Sequence, residues 1–380
     1  MEAPVFREGV RNLNREAFME RLHQEAPLYK DDDGFWVVSR FEDAREVLLD
    51  HARFSSRAMG GPGFLLPLLT DDPPRHSSLR SLVSKAFTPS RIAQMRPEIT
   101  ELAEGLVSQI PAGSEVDIVA ALTMPLPVTV IARMLGIPEA DREQFKRWSN
   151  ALTGTQAGPM GAERSPAVIE LRDYFVRVLA DRRAAPGADL VSALARAEEA
   201  SVLLSDEEIV GFSILLLIAG NETTTNLLGS LLNRMAGEPE HWATLRQHPE
   251  LVTQAIEEGL RLDSPAQLIM RRASENTTLS GQAVAKGDML MVYLGAANRD
   301  PARWGAPGVF DMIEKERERH IAFGFGVHTC IGAPLARLEA EVAMNALLAR
   351  FPHVRRGEGR PRRLPSGVLF GFRALPLVFS

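Results

Sequence analysis

One stretch frames the rest: Asp206 to Ala236 keeps helical periodicity for longer than any other part of the chain. Ser205 stands at its N-cap with Glu208 three residues on, the capping-box pattern. Its middle reads I-L-L-L-I, then A-G-N-E-T-T at 219 to 224, then L-L-G-S-L-L. The longest apolar stretch, Ile214 to Ala219, falls far short of the roughly 20 residues that cross a bilayer, so no membrane span is expected. Between such runs the polar patch should be buried and needs a reason. A glycine followed by threonines in mid-helix is costly, and threonine hydroxyls that bond back four residues tend to kink the helix. Leu216, Gly220, Thr223 and Leu227, spaced four, three and four apart, share one face that suits a flat cofactor. The alternative is a purely structural kink.

Around this run the pattern predicts helices over Phe41 to Asp50, Ser77 to Phe87, Pro97 to Gln109, Ala167 to Arg183, Pro249 to Leu262 and Pro334 to Arg350. Short strands are predicted at Gly34 to Ser39, Leu268 to Arg272, Thr278 to Leu279 and Met289 to Leu294. The fold class is therefore mainly α with small β-sheets, an α+β arrangement. No repeat or linker divides residues 1–380, which read as a single domain. Arg57 to Thr70 is Gly/Pro-rich yet apolar, so it should cover something apolar.

Composition narrows the function. Lys plus Arg is 43 against 49 Asp plus Glu, a net charge of −6 that argues against nucleic acid as a partner. The single cysteine, Cys330, excludes a disulfide-stapled secreted fold and a multi-cysteine zinc site. The N-terminus mixes charges and lacks an apolar core, so it is no secretory signal, and a cytoplasmic protein is expected.

Cys330 lies in F-G-F-G-V-H-T-C-I-G, residues 323 to 332, followed by A-P-L-A-R-L-E. A lone cysteine is most often a small buried hydrophobe. Here Gly324 and Gly326 let backbone amides turn inward, and Cys330 sits at the start of a helix with Pro334 in its first turn. Both features favour a thiolate, as nucleophile or metal ligand. Apart from His328, nothing nearby suggests a protease triad.

This loop resembles the haem-binding loop of the cytochromes P-450, pattern F-x-x-G-x-H/R-x-C-x-G, through Phe323, Gly326, His328, Cys330 and Gly332. The resemblance implies haem b (iron protoporphyrin IX) between the long helix and the cysteine-loop helix, with Cys330 as axial iron ligand and Phe323, Gly324 and Gly332 around it. Thiolate ligation in this family pushes electron density that favours O–O cleavage. Glu222 and Thr223 match the family's acid–alcohol pair and would be catalytic, delivering protons. His76 and Arg80 match its H-x-x-x-R propionate pair, with His328 and Arg271 as further propionate contacts and Arg272 the alternative if the register slips by one. Glu258 and Arg261 match the structural E-x-x-R pair, for which Lys315, Arg317 and Arg319 are candidate third partners. A-N-R-D-P at 297 to 301 completes a likeness running from Ala26 to the C-terminus, of the soluble bacterial type.

The implied activity is insertion of one oxygen atom from O2 into a small-to-medium lipophilic substrate. No flavin or NAD(P)H motif is present, so electrons should come from a ferredoxin or flavodoxin with its NAD(P)H reductase. Arg75, Arg80, Lys85 and Arg91 are candidate docking cations. Phe64, Leu65, Leu216, Ala219, Gly220, Leu268 and Ile269 are candidate pocket walls, and Arg57 is weighed as a carboxylate anchor against a solvated arginine. A monomer is expected. The rival readings are a peroxide-driven peroxygenase and a non-catalytic haem sensor or carrier.

Overall fold

The computed structural model describes residues 15–59, 66–153, 166–196, 204–313 and 319–380. Phe64, Leu65, Lys315 and Arg317 therefore lie outside the described residues. Helices dominate: α1 (Arg15–Glu25), α2 (Phe41–Leu49), α3 (Arg75–Ser84), α4 (Pro89–Ser108), α5 (Pro125–Met134), α6 (Arg142–Thr153) and α7 (Pro166–Ala184). They continue as α8 (Leu190–Ala195), α9 (Asp206–Gly237), α10 (Pro239–Gln247), α11 (Val252–Leu262), α12 (Leu294–Ala297) and α13 (Ala333–Arg350).

The long helix forms as its caps dictate. Ser205 accepts from the Glu208 amide at 3.2 Å, while the Glu208 carboxylate accepts from the Ser205 amide at 2.9 Å. Apolar side chains bury α9 on nearly every side, against α5, α7, α11 and α13. Helix α4 corrects the sequence expectation. It begins at Pro89, capped by Thr88, and runs straight through Pro97. Pro97 and Ala93, whose carbonyl it leaves unbonded, are both exposed, so water replaces the missing bond.

The main sheet joins β1 (Leu28–Lys30), β2 (Trp36–Val38), β3 (Phe54–Ser55), β4 (Leu268–Ala273) and β5 (Met289–Tyr293), in the order β1-β2-β5-β4-β3. In β4, Arg271 pairs with Leu290 and is buried, whereas Arg272 is exposed. That alternation settles which arginine turns inward. A separate apolar cluster, including Trp36, Phe41, Leu48 and Leu290, packs α2 under the sheet and supports the cysteine loop through Phe325.

Candidate active site

Helices α3, α9, α11 and α13, strand β4 and the cysteine loop enclose a cavity of about 320 Å³. Leu216, Gly220, Thr223 and Leu227 all line it, so the predicted stripe of α9 does face one common space. The helix is assigned without interruption through the polar patch. Thr223 Oγ1 donates to the Ala219 carbonyl at 2.7 Å, and Thr224 Oγ1 to that of Gly220 at 3.2 Å. A Cβ on Gly220 would stand 2.8 Å from Ile131 Cδ1, so that side chain would have to shift.

The cysteine loop is shaped by two glycines at positive φ, Gly324 (71°) and Gly326 (72°). A Cβ on Gly326 would also stand 2.7 Å from the Leu48 carbonyl oxygen. The Cys330 amide donates to the Phe323 carbonyl at 2.8 Å, closing the loop. The Cys330 side chain is open to the cavity yet enclosed by protein on all sides. Burial raises its thiol above the ordinary value, while the Gly332 and Ala333 amides and the Arg80 and Arg337 guanidiniums pull it down. A cation against the sulfur would tip this balance to thiolate. Among the described residues no group of three or more His, Cys, Asp or Glu could hold a metal ion, so an ion at Cys330 needs its other donors from a cofactor. Gly332 sits beside the sulfur: a Cβ there would be 3.8 Å from Sγ. Phe323 lines the cavity with Arg337 stacked 4.6 Å from its ring centre.

At one end of the cavity the residues gather positive charge, with Asp72 the carboxylate that acts on Arg271 from a distance. The His76 and His328 rings lie 4.1 Å apart. Both His76 ring nitrogens are buried without a hydrogen-bond partner. His328 Nε2 meets Ser56 Oγ at 2.9 Å, and Arg80 donates to the Thr329 carbonyl at 2.7 Å. Among the described residues Arg271 donates only to its neighbour's carbonyl, Met270, at 2.8 Å. Burial lowers Arg271 to about 10, and burial with the Arg271, His76 and Arg80 charges lowers His328 to about 3. Among the described residues no carboxylate lies within ion-pair distance of Arg80 or Arg271. Such a set fits the two carboxylates of a flat dianionic cofactor, and haem b is one.

One candidate pocket wall is corrected. Leu268 faces away from the cavity, packed with Val37 and Tyr293, because alternate residues of β4 point to opposite sides; Ile269 is the one that lines it, with Ala219 opposite. Glu222 lines a different cavity, on the opposite side of α9 from Thr223's. Burial pushes its carboxyl up to about 7. Arg57 is 68% exposed, with Nε 3.7 Å from Asp72, which favours the solvated reading over the anchor. Arg80 turns inward and Arg75 pairs with Asp71 and Glu208, so neither is free for docking, whereas Arg91 is exposed.

Glu258 and Arg261 form a bidentate pair at 2.8 Å, both buried. Arg261 also donates to the carbonyls of Asn298, Pro307 and Val309, and the Asp311 amide donates to Glu258. Of the candidate third partners, Lys315 and Arg317 lie outside the described residues. Arg319 is exposed. Sequence reasoning missed Glu339, which lines the cavity from α13 with a fully buried, unpartnered Oε2. Its signal was present: a carboxyl at the i+4 position from Leu335, on the face of α13 that is otherwise apolar.

A family model described as Cytochrome P450 matches residues 158–377. The chain is 38% identical to a putative cytochrome P450, YjiB, of Bacillus subtilis, covering 93% of this chain and 91% of that protein. It is 38% identical to the erythromycin C-12 hydroxylase of Saccharopolyspora erythraea, covering 94% and 92%. The crystal structure of CYP109E1 from Bacillus megaterium in complex with testosterone superposes with a TM-score of 0.87 at 36% identity, covering 96% of this chain and 99% of that one. No described helix is long and apolar enough to cross a membrane. The chain belongs to the cytochrome P450 family: it is a haem b monooxygenase, an oxidoreductase that incorporates oxygen from O2.

Proposed function

We propose that this monooxygenase oxidises a neutral, lipophilic substrate of small to medium size, with electrons from a separate ferredoxin or flavodoxin and its NAD(P)H reductase. The observation that carries the substrate class is the cavity wall beyond the cofactor end: Leu68, Leu69, Phe87, Ile131, Phe212, Leu215 and Ile269, without a charged side chain among them. The relatives named for acting on or holding a macrolide and a steroid support an apolar substrate.

Haem, when bound, supplies the iron at which dioxygen is activated. The chain's own residues do the rest. Cys330 Sγ would hold the iron, its charge stabilised by the Gly332 and Ala333 amides. His76, Arg80, Arg271 and His328 would hold the cofactor's two carboxylates. Thr223 donates its hydroxyl proton to Ala219, which leaves its oxygen lone pairs facing the cavity to accept from water. Glu222 stores a proton that it can give up near neutral pH. The apolar walls exclude water and orient the substrate. Arg91, exposed near the α3–α4 turn, is the cation we assign to an acidic electron donor.

Optical titration of the ferric protein tests the substrate class. A panel of terpenoids, aromatics and steroids, each paired with a carboxylate of matched size, should give a low-to-high spin shift for the neutral members. A shift confined to carboxylates would refute the neutral-substrate reading.

A further inference from the structure

The long helix carries a second buried stripe that the haem cavity does not use. Asn221, Glu222, Thr225 and Asn226 fall on the side of α9 away from the cofactor, and all are buried. They form one wall of a separate chamber of about 270 Å³. Val119, Ala120, Met124, Leu364, Pro365 and Phe372 supply most of the remaining lining and are all apolar, and Arg373 is the only charged lining residue besides Glu222. Small-molecule sites have this make-up, a mostly apolar hollow with a few placed polar groups, and the volume lies at the small end of their range of about 300 Å³ upwards.

Two polar groups in the lining are unanswered, one at each end. At the inner end, Asn226 is 1% exposed and neither amide atom has a hydrogen-bond partner. Its neighbour Thr225 is satisfied, with Oγ1 donating to the Thr123 carbonyl at 2.9 Å. Deeply buried amides without partners are rare in folded proteins. At the outer end, Ala120, Pro365 and Arg373 are exposed, so the chamber opens to solvent beside the strand pair Arg362–Arg363 and Phe372–Ala374. Among the described residues no carboxylate lies within ion-pair distance of Arg373. Ordered water is the usual remedy for a buried amide, but each buried water needs roughly two to four polar partners, and the lining between the two ends is apolar. An organic body with a polar group at each end suits such a space better.

We propose that this chamber is a binding site for a small monocarboxylate that carries an amide at its far end. The carboxylate pairs with the Arg373 guanidinium at the mouth. The apolar body packs against Met124 and Phe372. The amide closes two hydrogen bonds with Asn226, its carbonyl accepting from Nδ2 and its N–H donating to Oδ1. Burial pushes the Glu222 carboxyl up to about 7, so in mildly acidic solution that wall is largely neutral and Arg373 sets the sign of the site. The site is separate from the haem cavity and does not depend on what Glu222 does in the reaction.

Calorimetric titration of the haem-loaded protein at pH 6 tests this, with 4-phenylimidazole present to ligate the iron and occupy the haem cavity. The probe is 4-carbamoylbenzoate; benzoate lacks its amide and benzamide its carboxylate. 4-Carbamoylbenzoate should bind once per chain, roughly tenfold more tightly than either control, and leave the iron–azole spectrum unchanged. Arg373→Ala should lower its affinity to that of benzamide, and Asn226→Leu to that of benzoate. Ala120→Phe blocks the mouth without touching α9 and should abolish binding. If Asn226→Leu misfolds, Arg373→Ala and Ala120→Phe still decide the matter. No binding at millimolar probe overturns the proposal, because the chamber then holds water only. Binding that displaces the azole, or that neither Arg373→Ala nor Ala120→Phe weakens, overturns it too, because the probe then sits elsewhere.

Discussion

Two buried clusters gather arginines in this protein, and they differ in what answers the charge. Around Asp263, Arg15 donates at 2.8 Å, Arg234 at 2.9 Å, and Arg299 stands 3.6 Å away. Burial would raise the Asp263 carboxyl, but Arg234, Arg15 and Arg299 overcome it and hold it at about 2. Around His76 and His328, Arg80 and Arg271 donate, among the described residues, only to backbone carbonyls. The first cluster is closed by the chain itself and ties α1, α9 and the segment after α11 together. The second is left open in charge, and it opens beside the cavity that holds Cys330. Desolvated cations are retained at a cost only where something pairs with them. An arginine cluster with its own carboxylate therefore reads as structure, and one without reads as a ligand site.

Breaking the closed cluster should have the largest effect. Asp263→Asn leaves three guanidiniums around a neutral amide and should cost about 3–5 kcal/mol of stability in urea unfolding. Breaking the open cluster should behave oppositely. Arg271→Leu removes a buried charge that has no protein carboxylate within ion-pair distance, so the haem-free protein should keep or gain stability while haem binds roughly tenfold to a hundredfold more weakly. Haem transfer to apomyoglobin measures that loss; equal damage to both properties would erase the distinction between the clusters.

A smaller effect comes from Glu339, a buried carboxyl in the cavity wall that no cation answers. Burial raises it to about 8, above its ordinary value near 4.5. A carboxyl raised in the folded state contributes stability that is complete below the unfolded value and is lost as pH rises through the folded one. Glu339→Gln lacks that loss. Its stability relative to wild type should therefore improve by roughly 2 kcal/mol between pH 6 and pH 8. A pH-independent difference would place the charge of Glu339 in contact with a counter-ion.

Much of this was legible in the sequence because it rests on local chemistry. Positive φ at Gly324 and Gly326, the cap at Ser205 and the four-three-four stripe of α9 each follow from residues close together in the chain. What failed was orientation and context. Leu268 and Ile269 are both apolar, and only strand register tells which faces the cavity. Pro97 looks like a helix start until its solvent-facing position is known. Glu222 and Thr223 are adjacent in sequence, but the helix turns them to different chambers. The closed cluster joins residues 15, 234, 263 and 299, and no spacing rule links positions so far apart.

The most direct measurement is the optical spectrum of the reduced protein under carbon monoxide, for wild type and Cys330→Ser. With the Cys330 thiolate as axial ligand, wild type shows the red-shifted thiolate Soret band and the variant loses it. A wild-type protein that carries haem without that band, or a variant that keeps it, would contradict the assignment of Cys330 and the mechanism built on it.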